Sequence, residues 1–265
     1  MLHDAELVRR AQALVGEYTR QRLAFVAARP GNPLGAEWRR YGDALALIAP
    51  RFANPHFNRG YGFNDDQLEG VRETIAWFDA GGVAGGFDLA PGRPIAETAK
   101  LLAAAGFIHT GFHATLAGPA DLPAAAAPGV EVRCVETEAD LQSFSDAYHL
   151  GWGHADFRIP MMPWLAAPAW RLYLALADGA PAGAAVLSLD GDAAYLADSA
   201  VDPAHRRRGV HRALLDRRCA DARETGAKVI VSGADYLSAS YRNMQRIGLG
   251  LLYTEAIWTR ASPTN

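Results

Sequence analysis

One stretch decides the fold, and it reads Val201-Asp202-Pro203-Ala204-His205-Arg206-Arg207-Arg208-Gly209-Val210. The apolar segment before it predicts a strand, which Pro203 ends because proline cannot donate a hydrogen bond to a sheet. After Gly209, apolar residues return at helical spacing and predict a helix. A helix N-terminus offers free backbone N–H groups and a favourable dipole to an anion. The stretch therefore predicts a phosphate-binding site.

These residues resemble the acetyl-CoA pyrophosphate loop of the GNAT superfamily of N-acetyltransferases. The family pattern R/Q-x-x-G-x-G/A is filled by Arg206, Gly209 and His211, where histidine replaces the usual glycine or alanine. The alternatives are a solvated basic helix start and a nucleic-acid patch. The formal net charge of −3 and the pI of about 6.2 disfavour the second, because nucleic-acid binders are usually basic.

Length and composition are those of an ordinary globular protein. The 265 residues suit two domains of ~130 residues, and 21% of them are charged. Cys134 and Cys219 lie on apolar faces of predicted elements, which predicts buried free thiols and fits a reducing cytoplasm. We expect no signal peptide, because the N-terminus has no basic region followed by an apolar core, and no membrane span, because no apolar run reaches the ~18 residues that a span needs.

The order of predicted elements, together with the resemblance, implies an α/β (α+β) fold of two tandem GNAT-like domains. Each domain should hold a mixed, mostly antiparallel twisted sheet flanked by helices. We predict domains at 1–118 and 129–265, joined by a proline- and alanine-rich linker at 119–128. Predicted helices span about 4–28, 66–79, 94–105, 136–149, 209–225 and 238–247. Predicted strands span about 43–49, 58–63, 86–90, 107–116, 130–135, 172–177, 182–190, 193–201, 228–232 and 251–258, and 34–38 is a loop or short edge.

A faint internal repeat links the two halves. A helix, a closing glycine and a strand occur once around Gly106 and again around Gly248, which indicates two copies of one unit. The first copy lacks the basic loop, because Asn64 and Asp65 stand where it is expected. Negative charge at a helix start repels phosphate. The N-terminal copy should therefore be a degenerate partner domain.

The resemblance implies how acetyl-CoA is held. In GNAT enzymes the strand before the basic loop parts from the next parallel strand, and the pantetheine arm lies in the gap. The backbone of Ser199, Ala200 and Val201 would then pair with the pantetheine amides. Asn243 is a plausible polar contact to the cofactor. The pyrophosphate would be held by the amides of Arg206, Arg207, Arg208, Gly209, Val210 and His211.

The catalytic groups are less clear from the sequence. The attacking amine must lose a proton, and Asp198 is the first candidate base, with a structural bulge aspartate as an equal alternative. Many family members use a tyrosine as acid about four residues before the glycine that closes the later helix. That position is Met244 here, so Tyr241 is the substitute candidate, with surface packing as its alternative. Tyr236 and Tyr253 are weaker candidates.

Other side-chain groups favour no second chemistry. The aromatic and methionine-rich region 148–164 is either a wall of the acceptor site or core packing between domains. His149 and His154 are spaced poorly for a metal pair, and we expect no metal. Ser199 and Ser240 lack the strand–turn context of a hydrolase nucleophile.

The resemblance favours a cytoplasmic, acetyl-CoA-dependent N-acetyltransferase that acts on a primary amine of a small molecule. The alternative is a catalytically weak or inactive acyl-CoA-binding sensor or scaffold. No nucleic-acid or membrane partner is expected, and the sequence leaves the acceptor and the choice between monomer and homodimer open.

Overall fold

A computed structural model describes residues 5–52, 55–122, 128–153 and 161–260. The chain forms two compact units. The first runs to Ala114 and takes in the chain again from Leu252, and the second spans Thr115–Leu251. Within the described ranges, no helix combines the length and the apolar character that crossing a membrane requires.

The elements before residue 120 are three helices and five strands of the described ranges. They are α1 (Ala5–Ala27), β1 (Glu37–Tyr41), β2 (Ala44–Ile48), β3 (Arg59–Tyr61), α2 (Leu68–Ala80), β4 (Gly86–Leu89), α3 (Ala96–Ala104) and β5 (Phe107–Pro119). The rest are β6 (Val130–Cys134), α4 (Glu138–Trp152), α5 (Met162–Leu165), β7 (Trp170–Ala177), β8 (Ala180–Asp190), β9 (Ala193–Val201), α6 (Val210–Glu224), β10 (Val229–Asp235), α7 (Ala239–Arg246) and β11 (Gly250–Arg260).

The first unit holds a mixed sheet in the order β1-β2-β3-β4-β11-β5. β1 pairs antiparallel with β2, whereas β3 and β4 are parallel. The core is largely aromatic, because the ring of Phe87 lies 5.4 to 5.9 Å from those of Phe63, Phe78 and Phe107. The sequence predicts a loop or a short edge strand at 34–38, and the end of this region belongs to the edge strand β1. The side chains of β1 are mostly exposed, so they do not alternate between buried and exposed positions.

The last strand of the chain belongs to the first unit. β11 pairs antiparallel with β4, with Ala256 opposite Leu89 and Thr259 opposite Gly86. The predicted domain 129–265 differs from the second compact unit, because this pairing joins the residues from Leu252 to Arg260 to the first unit. The predicted linker lies only partly within the description, since 123–127 fall outside it.

The second unit holds the strands β10-β9-β8-β7-β6 in that order. Neighbours are antiparallel except β9 and β10, which are parallel. Helices α4 and α6 both contact β8 and β9, and α7 contacts β10. The predicted fold class, twisted and mostly antiparallel sheets flanked by helices, is confirmed. Both cysteines are free thiols, and burial raises the pKa of Cys219 to about 11.

The first unit buries a charged cluster beside its central strands. Arg59 forms an ion pair with Asp88, and His113 Nδ1 lies 3.8 Å from Glu255 Oε2. Burial, and then repulsion from Asp88, raise the pKa of Glu255 to about 8. Glu255 therefore holds a proton in the folded protein at a pH where an ordinary glutamate is ionised.

This proton makes stability depend on pH. The contribution of Glu255 is full below its ordinary pKa of 4.5 and is lost as pH rises through about 8, because the unfolded chain releases the proton first. We expect E255Q to unfold like the wild type at pH 4 and to be more stable by roughly 3 kcal/mol at pH 9. Urea unfolding at several pH values measures this, with the exposed Glu73→Gln as control. Parallel pH profiles for the wild type and E255Q would contradict it.

Candidate functional site

The loop between β9 and α6 forms a backbone cradle. Arg207 has a φ of 63° and Gly209 a φ of 82°, so left-handed residues alternate with Arg206 and Arg208. Gly209 is the N-cap of α6 and supplies no side chain to the free N–H groups of the first turn. Alternating conformations of this kind turn successive N–H groups towards one point and bind anions.

Arginine side chains surround this cradle. Arg206, Arg207 and Arg208 are all exposed. Arg206 Nη2 donates to the carbonyl of Gly151 at 3.4 Å, and Arg208 forms an ion pair with Asp178. The first turn of α6 contains no acidic residue. The loop therefore keeps positive charge beside the N–H groups, as the sequence predicts.

The matching place in the first unit is filled by its own side chains. Asn64 Oδ1 accepts from Asp66 N at 3.0 Å, and Gln67 Oε1 accepts from Asn64 N at 3.2 Å. Asp65 accepts from both the N–H and the hydroxyl of Thr98, at 2.8 and 3.0 Å. This helix start carries negative charge and satisfied N–H groups, which makes it a poor phosphate site.

β9 and β10 part next to the basic loop. Their parallel pairing runs from Ala193 opposite Val229 to Leu196 opposite Ser232 and ends there. Both strands continue, β9 to Val201 and β10 to Asp235. The facing backbones of these end segments are not paired with each other, which opens a gap. The predicted contact residues Ser199, Ala200 and Val201 all lie on this segment of β9.

A β-bulge occupies the start of the gap. Ala184 lies opposite Ala200 and Val186 opposite Ala197, so two residues of β9 oppose one of β8. Asp198, one of these two, has a φ of 47°. Aspartate tolerates this left-handed conformation better than most residues. A structural role in the bulge therefore explains why an aspartate stands at position 198. The role of Asp198 as a catalytic base stays a prediction.

Arg218 ties α6 to the bulge. Its side chain is fully buried and donates to Ala197 O at 3.0 Å, to Ser199 Oγ at 2.6 Å and to Val186 O at 3.0 Å. Arg218 is not among the residues predicted from the sequence. The available signal was an arginine four residues after Leu214, on the apolar face of the helix.

His211 and Asn243 meet across two helices. His211 Nδ1 lies 3.0 Å from Asn243 Nδ2, and Arg246 Nη1 donates to Asn243 Oδ1 at 2.7 Å. Burial, and then the charge of Arg218, lower the pKa of His211 to about 4, so its ring is neutral near pH 7. The predicted direct contact of Asn243 with a cofactor stays a prediction.

The predicted acid lies in α7. Tyr241 is only 4% exposed, and its hydroxyl accepts from Gln245 Nε2 at 3.2 Å. Its ring packs edge-on against Tyr236. Met244, at the usual tyrosine position, is buried as well. This environment is typical of a packed core residue rather than of an exposed acid. The catalytic role of Tyr241 stays a prediction.

The aromatic region 148–164 contributes to the core of the second unit. The ring of Trp164 lies 5.9 Å from Tyr148 and 5.4 Å from Trp170. Residues 154–160, which include His154, lie outside the described residues. Across the described part of the chain, no three histidine, cysteine or acidic side chains are grouped as a metal site.

A separate cavity of about 360 Å³ lies beside β6, β7 and the C-terminal half of α6. Asp221 in its lining is already paired, since it accepts from Arg217 Nε at 2.9 Å and from Tyr173 at 2.7 Å. No predicted site residue lines it. The basic loop and the strand gap are therefore the stronger candidate site.

Comparisons with known proteins find related acetyltransferases. Residues 139–248 match the model of the acetyltransferase (GNAT) family. A segment of 56 residues is 52% identical to a mycothiol acetyltransferase of Clavibacter sepedonicus, covering 21% of this chain and only 18% of that relative.

Two solved structures resemble nearly the whole chain. A GCN5-related N-acetyltransferase from Kribbella flavida has a TM-score of 0.67 at 18% identity, over 96% of both chains. A tandem GNAT protein from the clavulanic acid biosynthesis pathway has a TM-score of 0.60 at 13% identity, over 99% of this chain and 97% of that one. At these identities the likeness shows the fold. Residues 139–248 match the GNAT acetyltransferase family, and the chain has the fold of a tandem GNAT protein.

Proposed function

We propose that the chain is an N-acetyltransferase that moves an acetyl group from acetyl-CoA to a primary amine of a small molecule. One observation carries the proposal: the uncapped N-terminus of α6, with its three arginines, lies next to the point where β9 and β10 part. We place the protein in the cytoplasm, without a nucleic-acid partner, as a monomer or homodimer.

The residues fit acetyl-CoA. The N–H groups from Arg206 to His211 suit a diphosphate, and the freed backbone of Ser199, Ala200 and Val201 suits the amides of an extended arm. When bound, acetyl-CoA supplies a thioester whose acetyl group can be transferred. A backbone N–H beside the bulge would stabilise negative charge that develops on the carbonyl oxygen.

The acceptor requires proton transfer. An alkyl ammonium has a pKa of about 10 and must be deprotonated before attack. We propose that the Asp198 carboxylate takes this proton, directly or through water. We keep Tyr241 as the proposed donor to the departing thiolate.

Asp198 can be tested with its backbone preserved. We expect D198N to lower kcat by about 100-fold and to leave the Kd for acetyl-CoA unchanged, because asparagine also tolerates a left-handed conformation. The acidic limb of the pH–rate profile should disappear with the carboxylate. If D198N keeps full activity but D198A loses stability, the aspartate serves the bulge alone.

Binding and turnover separate the proposed enzyme from the sensor. Acetyl-CoA should raise the melting temperature, because it binds only the folded chain. Calorimetry should give one molecule per chain, since only the second unit has the basic loop. A chain that binds acetyl-CoA but releases no thiol with any amine is a sensor.

The acceptor panel follows from chemistry and from one relative. It includes amino acids, polyamines and amino sugars, which cover the common small primary amines. It also includes the acceptor of the mycothiol acetyltransferase, because that enzyme shares the 56-residue segment. Thiol release is followed for each compound with and without the chain.

Gly151 tests how closely α4 approaches the gap. A Cβ on this residue would lie 2.7 Å from both Ala200 Cβ and Val201 N. We expect G151A to displace the end of β9, to lower the free energy of unfolding by about 1–3 kcal/mol and to weaken acetyl-CoA binding. Gly16→Ala is the control, because a Cβ there meets nothing within 4 Å. Unchanged binding by G151A would show that the end of β9 is not part of the site.

A further inference from the structure

A side-chain hydrogen bond spans the strand gap. His211 lies on α6, which contacts β9, and Asn243 lies on α7, which contacts β10. The bond between them therefore connects the helices that cover the two parted strands. His211 is also the second residue of α6, directly after the basic loop.

The network fixes which imidazole nitrogen carries the proton. A guanidinium only donates, so the Asn243 atom that faces Arg246 is its carbonyl oxygen. The amide nitrogen of Asn243 then faces His211 and donates to Nδ1. In the neutral ring the proton is therefore on Nε2.

The Nε2–H group of His211 has no hydrogen-bond acceptor within the described ranges. The Nε2 atom is buried and has no hydrogen-bond partner among the residues that the structure describes. A buried hydrogen-bond donor without an acceptor destabilises the folded protein by about 1–3 kcal/mol. This is unusual for a side chain whose ring is already oriented by a hydrogen bond. An acceptor supplied by a ligand removes this cost.

We propose that His211 Nε2–H donates a hydrogen bond to an amide carbonyl oxygen in the pantetheine arm of bound acyl-CoA. The inference rests on the proposed function. The arm is the partner rather than the diphosphate, because exposed arginines and backbone N–H groups already suit the diphosphate at the surface, whereas the Nε2 atom is buried. His211 then acts as a binding residue at the position where the family pattern has glycine or alanine.

Two variants and two ligands test this. H211F removes the donor, and H211Q keeps an N–H at a similar reach. Calorimetry gives the Kd for acetyl-CoA and for acetyl-pantetheine, which has the arm without the diphosphate. We expect H211F to weaken both ligands by about tenfold, as for the loss of one hydrogen bond in a dry site, and H211Q to stay within about threefold.

A spectroscopic readout is independent of turnover. The ¹⁵N spectrum of the free protein at pH 7 should show His211 protonated at Nε2 only, with the signal assigned by its absence in H211Q. Either ligand should shift this Nε2–H signal.

The possible failures are distinguishable. If H211F binds both ligands like the wild type, or if the ring is protonated at Nδ1, the inference is wrong while the proposed function stands. A loss restricted to acetyl-CoA would reassign the bond to the nucleotide part and overturn the arm as partner. If the wild type binds neither ligand, both the inference and the proposed function are wrong.

Discussion

The variant Gly209→Asp is expected to raise the Kd for acetyl-CoA by at least ~100-fold, the largest effect on binding that we anticipate. Gly209 is the N-cap of α6 and has a φ of 82°. A carboxylate there would face the diphosphate at short range and cancel the positive end of the helix dipole. Aspartate tolerates the left-handed conformation at a modest cost, so the chain should still fold.

Gly209→Asn is the matched control, because it has the same shape without the charge. We expect a smaller loss of about tenfold for this variant. Titrations at low and high salt separate the two contributions, since screening weakens only the electrostatic one. If G209D binds acetyl-CoA like the wild type, the cradle at the start of α6 is not where the cofactor binds.

Replacing Arg218 should have the largest effect on stability. Its guanidinium donates hydrogen bonds to Ala197 O, Ser199 Oγ and Val186 O, and the side chain is fully buried. R218M keeps the volume but leaves these acceptors without their donor. We expect the free energy of unfolding to fall by about 3–5 kcal/mol and the Kd for acetyl-CoA to rise, because the bulge loses its support.

The exposed Arg223→Met, on the same helix, is the control and should change stability by less than about 0.5 kcal/mol. A second readout tests the electrostatic role. The charge of Arg218 lowers the pKa of His211, so R218M should raise that pKa in an NMR titration. A variant of wild-type stability with an unmoved His211 titration would show that Arg218 supports neither feature.

The sequence predicts those parts of the fold that local periodicity determines. β9 is observed as Ala193–Val201, as predicted, and α6 as Val210–Glu224 against a predicted 209–225. The basic loop is likewise local, because its anion cradle needs only a glycine, arginines and a helix start. β1 is not clear from the pattern, since most of its side chains are exposed and do not alternate.

Long-range features could not be predicted in this way. The place of Arg218 on the apolar face of α6 indicates burial, but its acceptors at the bulge are known only from the three-dimensional structure. The tautomer of His211 depends on residues about 30 positions away. The sequence does not indicate which strand β11 pairs with, because both halves contain the same helix–glycine–strand pattern. Its pairing with β4 is determined by tertiary packing.

The position of β11 has a consequence for synthesis. This strand lies between β4 and β5, in the interior of the first unit's sheet. A ribosome makes residues 1–114 long before it makes 252–260, so the first unit cannot complete its sheet when its own N-terminal residues emerge. The second unit, Thr115–Leu251, is entirely synthesised before that strand appears. The first unit is therefore completed after the second, and the nascent chain carries an open sheet edge until residues 252–260 emerge.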